Sequence, residues 1–163
     1  MTLRIGIYGG TFNPIHRGHI AAASAAARQL SLDKLLLIPD AVPPHKPLPA
    51  GSAGEPDRLE MARLCTGEFP VPAEVSDMEI RRQGASYTCD TLSALREQYP
   101  SDELFLLMGS DMFLSFESWH RPEEICRLAT LAVFSRQSVD ETADFARQRE
   151  KLETAFSARV TVV

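Results

Sequence analysis

Leu3-Arg4-Ile5-Gly6-Ile7-Tyr8-Gly9-Gly10-Thr11-Phe12-Asn13-Pro14-Ile15-His16-Arg17-Gly18-His19 is the stretch that decides how this 163-residue chain is read. A short β-like run, Leu3 to Tyr8, ends at Gly9-Gly10, and a loop interrupted by Pro14 leads into an alanine-rich helix expected from about Gly18 to Gln29. Glycines at such a turn let the backbone approach a phosphate closely. The start of the helix adds unpaired N–H groups with a partial positive charge. The stretch is not a P-loop, because no Gly-Lys-Ser/Thr follows. It is not the G-x-G-x-x-G dinucleotide fingerprint either, since the third glycine is absent and two histidines stand in the way.

The same beat continues outward. Lys34-Leu-Leu-Leu-Ile38 is a continuous apolar strand, and such strands alternating with helices indicate a doubly wound, mainly parallel α/β sheet with helices on both faces. Asp40 to Pro56, rich in Pro, Gly and Ala, reads as a long loop; Asp57 to about Glu68 reads as a helix in which Asp57 and Glu60 form an imperfect capping box. Val71–Ser76 and Met78–Arg81 are weaker strand candidates before a turn at Gly84. A helix from Thr88 to Glu97, strands at 104–108, 128–134 and 159–163, and a helix over 143–156 complete the pattern. Right-handed crossovers place Gly9–His19, Pro43–Pro47 and Gly109–Asp111 on the carboxyl edge of the sheet, where open α/β sheets bind ligands.

Composition bounds the function. With 44% hydrophobic and 24% charged residues the chain is a folded globular unit of about one domain, not a disordered or fibrous sequence. No run approaches the roughly 20 apolar residues of a membrane span, and no signal peptide precedes the first strand. Cys65, Cys89 and Cys126, odd in number and widely spaced, suggest unpaired thiols in a reducing compartment, hence the cytoplasm. A net charge of −5 argues against a nucleic-acid surface. The charge is uneven: Arg4, Arg17, Arg28, Lys34 and Lys46 oppose only Asp33 and Asp40 in the first 46 residues, and His16, His19 and His45 lie there too. Cationic and proton-bearing groups therefore concentrate where an anionic ligand could use them, although a solvated basic face would look the same.

His16 and His19, three apart at a loop-to-helix junction, could both point at one oxygen-rich group. Zinc would require further ligands that no H-E-x-x-H or cysteine pair supplies, so no metal site is assigned. Gly9 to His19 resembles, without a gap, the G-G-T-F-D/N-P-x-H-x-G-H opening of the bacterial nicotinate mononucleotide adenylyltransferase family, within the nucleotidyltransferase superfamily marked by a T/H-x-G-H loop. Pro43-Pro44-His45-Lys46, Ser86-Tyr87-Thr88 with Asp90-Thr91-Leu92, and Gly109-Ser110-Asp111 with Trp119 follow in the family's order.

The resemblance implies a single Rossmann-like nucleotidyltransferase domain over 1–163. It also implies transfer of an adenylyl group from ATP to nicotinate mononucleotide, with pyrophosphate released and magnesium carried in on the ATP phosphates. The acceptor phosphate is itself the nucleophile, so the protein's part is alignment and stabilisation of phosphoryl charge. His16 and His19 are then the catalytic donors; Gly9, Gly10, Thr11, Phe12, Gly109, Asp111 and Arg136 hold ATP. His45 and Lys46 grip the mononucleotide phosphate, Ser86, Tyr87 and Thr88 meet the nicotinate carboxylate, and Trp119 stacks on the pyridine ring. Taken locally, Asp111 reads equally well as the N-cap of the segment 112–116, and Trp119 as a packing residue.

The chain departs from the family pattern in two places: His120 stands where the family commonly has Tyr, and no I/V-S-S/A-T-x-x-R motif follows Arg136. The second phosphate-binding motif and its helices are therefore expected to be lacking. A transferase with another phosphorylated acceptor, or a catalytically silent nucleotide-binding module, stays open at this level.

Overall fold

In the computed structural model, residues 1–41, 48–82, 86–134 and 139–163 are described. The strands are β1 (Arg4–Gly10), β2 (Lys34–Pro39), β3 (Ala73–Val75), β4 (Glu103–Gly109), β5 (Thr130–Phe134) and β6 (Val160–Val162). All pair in parallel, in the order β3-β2-β1-β4-β5-β6. The helices are α1 (Arg17–Gln29), α2 (Glu55–Leu64), α3 (Met78–Arg81), α4 (Thr88–Gln98), α5 (Ser110–Leu114), α6 (Pro122–Leu128) and α7 (Val139–Phe156).

Continuous apolar strands are required because alternate residues feed two different cores. Ile5, Ile7, Leu36, Ile38, Leu104, Leu106, Met108, Leu131 and Val133 face one side, against Leu92 and Leu95 of α4, Phe113 of α5, Ile125 of α6 and Leu152 of α7. Their neighbours Leu35, Leu37, Phe105, Leu107 and Ala132 face the other, against Ala23, Ala26 and Ala27 of α1 and the ring of Phe12. The alanine stripe and Gly6 share a cause. A Cβ on Gly6 would lie 2.6 Å from Leu32 Cδ1 and 2.8 Å from Leu35 Cδ2, so this layer is packed too closely for a larger residue.

The strand order reverses direction at β1 and β4, the first strand of each half. That gap is the topological switch point at which a crevice opens beyond the strand ends. Among the described residues no helix is long and apolar enough to cross a membrane. All three cysteines are free, and burial pushes the Cys126 thiol up to about 11.

Four local expectations are corrected. Met78–Arg81 is one helical turn, not a strand. After the Ser76 N–H donates to the Leu37 carbonyl the chain leaves the sheet edge, and an Asp77–Arg81 ion pair of 2.8 Å at i,i+4 spans the turn. α2 starts at Glu55 with Gly54 as N-cap and Pro56 in its first turn, so the Asp57/Glu60 capping box does not form. Pro122–Leu128 forms α6, which the hydrophobic pattern does not predict; it claims Leu128, so β5 starts at Thr130. Asp111 is not an N-cap: Gly109 holds that position, and Asp111 sits inside the first turn of α5. The expected turn at Gly84 lies outside the described residues.

Candidate active site

The loop that follows β1 enters α1 through an unusual cap. His16 is the N-cap of α1, in extended conformation, and its Nδ1 accepts the Gly18 N–H at 3.0 Å. Reciprocally, the His16 N–H donates to His19 Nδ1 at 3.1 Å, so the two histidines form the capping box usually built from Ser/Thr and Glu. Their rings stack at 3.9 Å and 26°. A nitrogen that accepts carries no proton, so each neutral ring keeps its hydrogen on Nε2. Burial, and secondarily the neighbouring His16, lower the pKa of His19, which favours that neutral form.

Gly18 is what lets the box close. A Cβ there would stand 2.9 Å from His16 Cε1 and 3.0 Å from its Nδ1. Gly9 and Gly10 differ: a Cβ would meet nothing nearer than 3.7 Å and 3.6 Å respectively. The packing of the fold does not demand glycine at these two positions. Their open backbone is free for a ligand's close approach.

Behind this loop, Phe12 is buried at a left-handed φ of 48°, edge-on to Tyr8 at 5.4 Å and to His19 at 5.2 Å. Its buried ring therefore packs against the histidine and leaves little of the side chain open to a ligand. Tyr8 joins the loop to the rest of the site, since it lines the adjoining cleft and also meets His19 edge-on at 6.1 Å.

That cleft, about 760 Å³, lies over the switch point. Of the residues singled out from sequence, Gly9, Gly10, Thr11, Ser86, Tyr87, Thr88, Gly109 and Trp119 line it together. His16, His19 and Asp111 do not: the histidines flank it beyond Tyr8, and Asp111 is exposed on α5. Tyr87 is the N-cap of α4 and makes no side-chain cap to the N–H groups of the first turn, which begins beside Ser86 and Thr88. Trp119 packs its ring against Phe116 at 5.2 Å. His45, Lys46 and Arg136 lie outside the described residues.

Sequence reasoning missed three contributors. His120, the departure from the family pattern, lies over the Tyr87 ring at 4.3 Å and 30° and lines the cleft with it, at the start of α4. Asp40 follows β2 at the carboxyl edge, a position that by itself marks a candidate. Glu79 was hidden by the strand assignment of Met78–Arg81. Its Oε2 accepts the Thr91 hydroxyl at 3.1 Å, its backbone carbonyl accepts from Ser86 Oγ at 3.4 Å, and burial pushes its carboxyl up to about 7. Burial likewise raises Asp40. Among the described residues no three His, Cys, Asp or Glu side chains gather where they could hold a metal ion.

Known proteins resemble the chain in sequence and in fold. A protein of Geobacter metallireducens named "probable nicotinate-nucleotide adenylyltransferase" is 46% identical over 134 residues, 82% of this chain and 61% of that protein. One of Shewanella sp. (strain MR-7) with the same name is 45% identical over 135 residues, 82% and 62% of the two chains. The chain thus spans about three fifths of the length of these relatives. In fold it is similar to the Plasmodium falciparum nicotinic acid mononucleotide adenylyltransferase complexed with NaAD, with a TM-score of 0.77 and 17% identity over 99% of this chain and 74% of that one. The family model described as cytidylyltransferase-like matches residues 7–158, which take in the switch-point cleft and the histidine-capped loop; the chain belongs to that family.

Proposed function

We propose that the chain carries the site for adenylyl transfer from ATP to nicotinate mononucleotide, giving nicotinate adenine dinucleotide and pyrophosphate, a step of NAD biosynthesis. The observation that carries the reading is the reciprocal His16/His19 cap. It leaves two Nε2–H donors with a defined tautomer at the start of α1, where His19 meets Tyr8 and Phe12, next to a cleft large enough for a nucleotide. Relatives at about 45% identity bearing the matching name support it.

In this mechanism the acceptor phosphate oxygen attacks the α-phosphorus of ATP, a new P–O bond forms, and the bond to the β-phosphate bridging oxygen breaks. ATP enters as its magnesium complex, the metal being held by phosphate oxygens and water. The backbone of Gly9–Thr11 and the imidazole Nε2–H groups hold the phosphates in line and stabilise charge gathering on their oxygens. The imidazoles suit this work because each ring is fixed by its cap, so its Nε2–H is a preorganised donor. His45 and Lys46 bind the mononucleotide phosphate, and Arg136 and the Gly109–Asp111 turn bind adenosine. Trp119 stacks on the pyridine, while N–H groups at Ser86–Thr88, the start of α4, take the nicotinate carboxylate.

The test is pyrophosphate release with ATP, magnesium and, in turn, nicotinate mononucleotide, nicotinamide mononucleotide and phosphopantetheine. Release with the first far above the others is expected. Equal rates with the amide would remove the carboxylate assignment, and tight ATP binding without turnover would leave a silent nucleotide-binding module.

A further inference from the structure

Arg58, on α2, is fully buried, the largest fully buried side chain among the described residues, and the mechanism above gives it no role. A guanidinium taken out of water is costly unless its surroundings use it. Its Nη1 donates to the Thr11 carbonyl at 2.7 Å and stands 3.9 Å from Asp40 Oδ1. Nε and Nη2 make no hydrogen bond among the described residues, so the Thr11 carbonyl is its one hydrogen-bonded target there.

That carbonyl belongs to the loop proposed above to cradle the phosphates. The preceding carbonyl, of Gly10, is taken by the Asp40 N–H at 2.9 Å. Farther along, the Asn13 side chain is held at both ends by the β2–α2 connection: the Ala53 N–H donates to Oδ1 at 3.3 Å, and Nδ2 donates to Ser52 Oγ at 2.9 Å. A trans peptide is planar, with its C=O and N–H opposed. Drawing the Gly10 and Thr11 carbonyls toward Asp40 and Arg58 therefore turns the N–H groups of Thr11 and Phe12 to the opposite side of the loop. The left-handed φ at Phe12 is part of the same turn.

We propose that Arg58 is a positioning residue: by holding the Thr11 carbonyl from within the protein, it aims the cradle's N–H groups at the ATP phosphates. The proposal deepens the adenylyl-transfer reading and rests on it.

Arg58→Met keeps the volume and removes the donor. ATP affinity, measured by calorimetry with magnesium present, should weaken by about tenfold, and kcat should fall by about 10- to 100-fold, the scale of a small misalignment of a reacting group. KM for nicotinate mononucleotide should move by less than about twofold, a split that a general loss of stability would not produce. If the single variant does not fold because Asp40 is left uncompensated, Arg58→Met with Asp40→Asn removes both charges and should show the same ATP-selective loss. Unchanged ATP affinity in a folded variant, or equal losses for both substrates, overturns the proposal. Absence of turnover by the unaltered protein with every mononucleotide would defeat the reaction assignment instead, and the calorimetric comparison would still decide the role of Arg58.

Discussion

Gly18→Ala separates the architecture of the cradle from the stability of the fold. The added Cβ would stand 2.9 Å from His16 Cε1, closer than real contacts allow, so the exposed His16 ring must swing away. With it go the bond from the Gly18 N–H and the stack on His19. Losing the cap costs about 1 kcal/mol, and replacing glycine by alanine in a helix returns up to about 1 kcal/mol. The two nearly cancel, and for a chain of this length the melting temperature should shift by no more than about 2–4 °C. Turnover should not be spared: displacing one preorganised donor from a phosphoryl-transfer site costs about 10²-fold, near 3 kcal/mol of barrier. The assay pairs thermal unfolding by circular dichroism with pyrophosphate release from ATP and nicotinate mononucleotide. A Gly18→Ala variant with ordinary melting and undiminished turnover would refute the claim that the capped histidine geometry is what the reaction uses.

Other substitutions test other parts. His19→Ala should lower kcat by about 10²- to 10³-fold while ATP affinity, by calorimetry, changes far less. Trp119→Ala should raise KM for the mononucleotide by about tenfold through lost stacking and burial, with a smaller change in kcat, read from initial rates. Glu79 has a folded pKa of about 7, above its unfolded value of 4.5, so the stability linked to its protonation is complete below the unfolded value and is lost as pH rises through the folded one. Glu79→Gln keeps an acceptor for Thr91 and cannot ionise. It should therefore gain about 1–3 kcal/mol over the unaltered protein near pH 8 and little near pH 4.5, measured by urea unfolding at both.

Much of this was legible in the residues because the controlling physics is local. Leu35, Leu36, Leu37 and Ile38 leave no polar face, so β2 had to be covered on both sides; Gly9-Gly10 and the alanines that follow announced a strand, an open turn and a closely packed helix. Where the hydrophobic pattern misleads, a competing local force decides. Met-Glu-Ile-Arg alternates like a strand, but the Arg81 N–H donates to the Asp77 carbonyl at 2.9 Å and closes a helical turn, which an exposed i,i+4 ion pair also spans. Pro122-Glu123-Glu124 carries the start signal of α6, proline in the first turn followed by acids.

By itself, then, the sequence determined the alternation of strands and helices, the parallel sheet and the histidine-bearing loop at its carboxyl edge, since each follows from hydrophobic run length and turn chemistry over a few residues. Only the tertiary structure decided which carbonyl the buried Arg58 grips, and that Glu79, Asp40 and His120 meet the predicted residues in one cleft. Those outcomes depend on distances between atoms tens of residues apart, set when α2, α3 and α4 dock on the sheet, and no local pattern in the chain encodes them.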